Sequence, residues 1–136
     1  MADSLREYVK RRANDVCEYC QLPQKVVPFS HELDHIIAVK HRGPTAANNL
    51  AWACFGCSRH KSCNIAGIDP KSGSIIRLFH PRRHKWATHF RWNGPVLVGR
   101  TDIGRATIEV LEINLPRRIA LRQSLIDDGS FDPTSA

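Results

Sequence analysis

The chain has 136 residues, of which 42% are hydrophobic, and a formal net charge of +7 at pH 7. This length fits one compact domain with its own core, numbered 1–136, and argues against a second domain. A strongly basic chain is typical of a nucleic-acid partner, because lysines and arginines that neutralise phosphates supply affinity through counterion release. A basic surface kept for solubility explains the charge equally well.

The composition also bears on where the protein works. No window reaches the roughly 18 apolar residues that a membrane span needs, so we expect no membrane association. We find no apolar signal-like segment at the N-terminus, and five cysteines are present. We therefore expect a reducing compartment, the cytoplasm, in which paired cysteines bind metal and do not form disulfides.

The first predicted element is a short basic helix over residues 3–13. Leu5, Tyr8 and Val9 follow the spacing of one helix face, and four basic residues lie among them. The arginines of this helix could contact phosphate, although a charged face is more often simply solvated.

Two Cys-x-x-Cys pairs follow, at Cys17/Cys20 and Cys54/Cys57. Each such turn presents two thiolates on one side, so two turns close the tetrahedral four-sulfur site that structural Zn²⁺ prefers. The sequence therefore predicts one structural zinc, with Cys63 left over.

The residues between the two pairs predict a strand, a loop, a second short strand and a helix. His31 to Val39 has the apolar pattern of a strand, and the turn at Arg42-Gly43-Pro44 ends it. Asn48 to Ala53 forms the second segment. The helix is expected to begin near Ser58, with this serine as a capping residue, and Gly67 limits its length.

The rest of the chain is predicted to be an extension of this motif. We place the core motif at 17–67, the extension at 68–128 and a frayed polar tail at 129–136. Turns, strands and helices are expected in this order: a turn at Asp69–Gly73, a strand at Ile75–Phe79, a hairpin around Asn93-Gly94, and helices over 101–111 and from Pro116.

Four aromatic residues surround a basic run at 80–86. Phe79, Trp86, Phe90 and Trp92 could stack on bases beside cations that hold phosphates. They are also typical core residues, and we favour the core for them.

The order of motifs from Cys17 to Lys61 resembles the HNH endonuclease family. It reads Cys-x-Tyr-Cys, then Asp34-His35, Gly43, Asn49-Leu50 and Cys-x-x-Cys-x-x-x-Lys. The resemblance implies an α+β fold, with a ββα-metal (HNH or His-Me finger) core and structural zinc, plus an N-terminal helix and C-terminal strands and helices. It also implies cleavage of nucleic acid with one divalent ion.

The resemblance assigns roles to individual residues. His35 would be the general base, Asp34 a ligand of the catalytic ion, and Asn49 the residue that holds the geometry of the site. In the family, the residue directly after the last Cys-x-x-Cys is usually His or Asn and supplies the second ligand. Ser58 stands there in this chain, and its hydroxyl is a weaker ligand, so reduced activity is expected.

The resulting prediction is a metal-dependent endonuclease that hydrolyses phosphodiester bonds in DNA, with RNA as a second substrate class. Zinc would be structural, and Mg²⁺, Mn²⁺ or another divalent ion would be catalytic. The candidate contacts to nucleic acid are Lys61, Arg82 and Arg83.

Two other functions are consistent with parts of the pattern. A non-catalytic zinc-stabilised module that binds nucleic acid is favoured by Ser58 and the basic charge, and a zinc-stabilised protein-interaction domain would need only the cysteines. Neither would need Asp34, His35 and Asn49 together, and these three residues favour the enzyme.

Overall fold

The computed structural model describes residues 2–135, and the two ends of the predicted domain, Met1 and Ala136, lie outside the described residues. The described part is a mixed helix and strand structure with three antiparallel two-stranded sheets. Its helices and strands, in chain order, are α1 (Ala2–Arg12), β1 (Glu32–His35), β2 (Leu50–Ala53), α2 (Phe55–Lys61), β3 (Ala66–Ile68), β4 (Ile75–Arg77), α3 (Trp86–His89), β5 (Phe90–Asn93), β6 (Val96–Gly99), α4 (Asp102–Val110) and α5 (Pro116–Asp127).

Strands β1 and β2 form the sheet that carries the Asp-His dipeptide. Asp34 pairs with Ala51, and His35 pairs with Leu50. The predicted strand from His31 to Val39 is too long, because the chain leaves the sheet after His35. The backbone of Ile37 bonds to a side chain instead of a strand.

Helix α2 begins three residues before the predicted position. Its N-cap is Cys54, whose sulfur accepts the backbone N–H of Cys57. The Cys-x-x-Cys turn thus forms the first turn of the helix, and Ser58 lies inside the helix instead of capping it. The helix also ends earlier than Gly67, at Lys61, where Ser62 takes a positive φ of 51°.

Helix α1 packs against β2. Val9, Leu50 and Trp52 form a small buried cluster between the two elements. The guanidinium of Arg12 donates hydrogen bonds to the backbone carbonyls of Ala47 and Leu50, at 2.9 and 2.6 Å. This arginine therefore fixes the helix to the sheet and is not free for phosphate.

The main core joins the two halves of the chain. It contains the four paired cysteines together with Phe79 and Phe90, while Trp86 and Trp92 are partly buried against it. The indole N–H of Trp86 donates to the carbonyl of Tyr19 at 2.8 Å. The prediction that these four aromatics belong to the core is confirmed.

Most C-terminal elements agree with the predicted pattern, but the strand predicted at Ile75–Phe79 ends at Arg77, helix α3 was not predicted, and the tail differs. The hairpin turns at Gly94 with a positive φ of 58°, Thr101 caps α4, and Pro116 occupies the first turn of α5. The frayed tail at 129–136 is wrong for Phe131, which is 7% exposed and packs edge-on against Trp92 at 5.5 Å. An aromatic side chain large enough to fill the core holds this segment down. Within residues 2–135, none of the helices has the length and apolar character needed to span a bilayer.

Candidate functional site

The four paired cysteines converge as predicted. Their sulfurs lie within 4.8 Å of one another, and all four side chains are buried. In each pair the second cysteine's backbone N–H points at the first cysteine's sulfur at 3.4 Å, which fixes both turns. Four buried thiols in this arrangement fit a structural metal such as Zn²⁺ in number and in donor type. Cys63 is not part of the cluster.

A guanidinium from helix α5 contacts this cluster. Arg118 donates to the sulfur of Cys57 at 3.1 Å and lies 3.8 Å from that of Cys54. Burial lowers the pKa of Arg118, but the neighbouring thiolates outweigh burial and raise it above the usual value. Four thiolates around one Zn²⁺ would leave two negative charges, and this cation would balance part of that charge.

The loop after β1 is closed by Asn49. Its side-chain oxygen accepts the N–H of Ile37, and its amide donates to the carbonyls of Ile37 and Pro44, all at 2.8–2.9 Å. Gly43 lies against the same loop, and a Cβ there would stand 1.7 Å from the carbonyl oxygen of Ile37. The asparagine and the glycine together set the path of the chain directly after His35.

His35 lies at the end of β1, directly after Asp34 and at the point where the chain leaves the sheet. Its ring is half-buried, and its Nε2 is 2.9 Å from the hydroxyl of Thr45 in a contact exposed to solvent. In the tautomer with its proton on Nδ1, this Nε2 is a hydrogen-bond acceptor, which is the state that a general base requires.

Asp34 lies on the inner face of β1, with only 6% of it exposed. One carboxylate oxygen accepts from the hydroxyl of Tyr19 at 2.6 Å, and the other accepts from the ammonium of Lys61 at 3.2 Å. Burial raises the pKa of Asp34, while the positive charge of Lys61 and the two hydrogen bonds act in the opposite direction. The predicted ligand therefore already has two protein partners.

Ser58 lies one helical turn before Lys61 in α2, and it also faces strand β1. Its hydroxyl donates to a carboxylate oxygen of Glu32 at 2.5 Å. Glu32 and Asp34 lie on one face of β1, as the two-residue strand period requires, and this face meets Ser58 and Lys61 of α2. Two carboxylates and one hydroxyl thus lie between β1 and α2.

The predicted contacts to nucleic acid differ in their exposure. Lys61 is 1% exposed and also donates to the carbonyl of His35 at 3.0 Å, so its expected role as a phosphate contact is corrected to an internal one. Arg82 is largely buried and forms an ion pair with Glu18. Arg83 is exposed and remains a candidate contact.

Several residues of the site are not apparent from sequence reasoning alone. Tyr19 stands inside the first Cys-x-x-Cys pair and links it to Asp34, and Glu32 is predictable only from strand alternation. Thr45 and Arg118 carry no local signal, because the partner of each lies at a distance along the chain.

Comparison with known proteins gives one match. Neither the search of curated proteins nor the search of solved structures finds a relative of the chain. The family model described as HNH endonuclease matches residues 17–64. This segment contains both cysteine pairs and every residue placed between β1 and α2. Residues 17–64 are therefore similar to the HNH endonuclease family, and they contain the four clustered cysteines of the candidate zinc site.

Proposed function

We propose that this chain is a divalent-metal-dependent endonuclease that hydrolyses phosphodiester bonds in DNA. The observation that carries the proposal is the position of His35, at the end of β1 inside the HNH match, with its ring accessible from solvent. Strands β1 and β2 and helix α2 would form the ββα-metal core of a single domain. The four clustered free cysteines also favour a reducing compartment such as the cytoplasm.

In this proposal His35 takes a proton from the attacking water through Nε2. In the tautomer with its proton on Nδ1, the same nitrogen accepts the hydroxyl hydrogen of Thr45, which orients the ring before substrate binds. Asn49 fixes the loop that follows, and the bond from Lys61 to the carbonyl of His35 fixes the backbone of the histidine itself. Together they hold the imidazole in position for proton transfer.

The residues between β1 and α2 fit a hard divalent ion. A carboxylate has about four lone-pair sites, so Asp34 keeps acceptor capacity beyond its bonds to Tyr19 and Lys61. Asp34, together with Ser58 and the carboxylate of Glu32, would hold Mg²⁺ or Mn²⁺, since both ions prefer oxygen ligands. The ion would supply positive charge for the phosphate oxygens and the leaving oxygen. The hydroxyl of Ser58 is a weak donor, which favours reduced activity.

The test is nicking of supercoiled plasmid by the zinc-loaded protein, with Mg²⁺, with Mn²⁺ and without either ion. We expect ion-dependent nicking that falls by about 10²- to 10⁴-fold in His35→Ala, the usual contribution of a general base. His41→Ala is the matched control, because His41 is an exposed histidine of the same loop outside the site. It should cut like the wild type.

Two outcomes would contradict the proposal. Equal nicking by wild type and His35→Ala would show that His35 is not the base. Salt-sensitive DNA binding without nicking under either ion would favour the non-catalytic nucleic-acid module instead.

A further inference from the structure

An apolar groove lies between the loop before β1, helix α2 and helix α5. It encloses about 360 Å³, which is within the size range of ligand sites. Three large apolar side chains on its walls are exposed: Phe29 at 63%, Phe55 at 41% and Leu121 at 41%. The rings of Phe29 and Phe55 stack on each other at 5.1 Å. Keeping two stacked aromatic faces in water is unfavourable, and such surfaces commonly mark a binding site.

The rim of the groove is positively charged. Its described lining contains the side chains of Arg59, Arg117, Arg118 and His60, and no carboxylate. Arg118 is engaged with the metal centre, and His60 is paired with Glu112. Arg59 and Arg117 are exposed and have no carboxylate partner in the described part of the chain, and the guanidinium of Arg59 lies 5.5 Å above the ring of Phe55.

These features together define the chemistry of the ligand. A flat apolar face is needed for the stacked rings, and negative charge is needed beside it for the two free guanidinium groups. A nucleotide of a single strand supplies both, since its base can stack on an aromatic ring while its phosphate meets an arginine. A paired base inside a duplex cannot reach such a groove without leaving the stack.

We propose that this groove binds an unpaired nucleobase, with the adjoining phosphates on Arg59 and Arg117. The inference deepens the proposed function, because helix α2 presents Arg59 to the groove and Ser58 to β1. The protein would therefore favour DNA with single-stranded or unpaired segments over uniform duplex.

The test measures binding without cleavage. Fluorescence anisotropy is recorded with a labelled single-stranded oligonucleotide and with a duplex of the same length, in zinc-replete buffer without added Mg²⁺ or Mn²⁺. Base stacking on one aromatic residue contributes about 1–3 kcal/mol, so Phe29→Ala should weaken single-strand binding by about 5-fold or more. The affinity for the duplex should change by less than about 2-fold. Phe29→Trp should restore single-strand binding, because indole also stacks.

Matched variants separate stacking and local charge from general effects. Ile75→Ala removes an apolar side chain that is 77% exposed and lies outside the groove, and should leave both affinities unchanged. Arg117→Glu and Arg91→Glu alter the net charge equally, and both residues are exposed. Both should weaken duplex binding to a similar extent, but Arg117→Glu should weaken single-strand binding more.

The outcomes distinguish this proposal from the proposed function. An equal loss for single strand and duplex in Phe29→Ala, or no loss for either, would overturn it, and the second result would leave a protein partner for the groove. Selective loss in Phe29→Ala together with a wild type that never nicks plasmid would support the groove and contradict the nuclease. Nicking by the wild type without strand preference in binding would do the reverse.

Discussion

The side chain of Ser58 connects helix α2 to strand β1. Its hydroxyl is a neutral oxygen donor inside α2, and it is hydrogen-bonded to the carboxylate of Glu32. The serine therefore keeps that carboxylate close to α2, and its own neutral hydroxyl would be a weak ligand for an ion bound there.

We predict that Ser58→Asn strengthens Mn²⁺ binding by roughly 10-fold, or about 1.4 kcal/mol, because an amide oxygen reaches further and is a better ligand. Nicking at limiting Mn²⁺ should rise in parallel. Binding is followed by electron paramagnetic resonance of free Mn²⁺, which is independent of cleavage. Ser62→Asn, at the exposed residue that ends α2, is the control. Superimposable titrations for wild type and Ser58→Asn would show that residue 58 is not a ligand position.

For single residues, the sequence predicts the cysteine cluster well, but it does not predict which side chains form hydrogen bonds and ion pairs with each other. The cysteine spacing is sufficient for the four-sulfur site, because the geometry of Cys-x-x-Cys turns is local. The burial of Lys61 could not be predicted in this way. A lysine in the last turn of a basic helix is usually solvated, and only the approach of Asp34 from another element explains its position.

Helices α2 and α5 are joined at the cysteine cluster, although they are distant in sequence. Arg118 of α5 reaches the sulfur of Cys57 in α2 and also donates to the carbonyl of Leu111 at 2.8 Å. Gly56 lies beneath the guanidinium, where an added Cβ would come within 3.1 Å of it. Helix α5 therefore packs closely enough for its charge to act on the thiolates.

We predict that Arg118→Met destabilises the zinc-loaded protein by about 1–3 kcal/mol, because hydrogen bonds to charged groups are lost and buried negative charge is left less compensated. Zinc release to a coloured chelator should also be faster. Arg118→Lys should recover part of the effect, since it restores the charge without the fork of donors. Arg117→Met is the control, as Arg117 is exposed on the same helix. Unchanged zinc release in Arg118→Met would contradict the role of this residue.

Element positions were predictable where the signals are local. The turn at Asn93-Gly94, the helix that opens at Thr101 and the proline at the start of α5 all agree with the structure. The start of α2 was placed too late because Ser58 is a common capping residue. The cysteine sulfur that actually caps the helix is not among the usual capping groups.

At the scale of the whole molecule, a cluster of three histidines is expected to make stability depend on pH. The rings of His84 and His89 contact Phe79 and each other, and the ring of His80 contacts His84, with centroids 5.1–6.3 Å apart. Burial and nearby positive charges lower the pKa of His80 to about 4, and burial also lowers the pKa of the other two. The unfolded chain therefore binds protons more readily than the folded one in this range.

The folded protein is expected to lose stability in acid. Stability is fully present above the ordinary histidine pKa of 6.5 and is lost as the pH falls towards the folded value of about 4 for His80. We predict that the melting temperature falls by several degrees over this range, and less so in His80→Gln, which cannot be protonated. The comparison uses thermal melts of both zinc-loaded proteins at each pH, because acid also weakens thiolate–zinc binding equally in both. Parallel pH profiles would contradict the prediction.

The global arrangement was less accessible to sequence reasoning than its parts. Composition predicts one core, and the buried cluster does include residues from Cys17 to Phe131. The way in which residues 68–135 cover the cysteine cluster depends on contacts between distant elements, such as that of Trp86 with Tyr19, which no local pattern encodes. The burial of Phe131 was not predictable either, because the residues around it in the tail are polar and small.

The contact between Arg118 and Cys57 also has a consequence for the timing of synthesis. The two residues are separated by 61 positions, so the cation leaves the ribosome after both cysteine pairs. At about 5–20 residues per second, this interval is roughly 3–12 seconds. During it, a nascent chain can already gather its four thiolates around zinc while their negative charge still lacks its guanidinium partner. A metal held by the growing chain would therefore be more exposed to oxidants and competing chelators than one held by the finished protein.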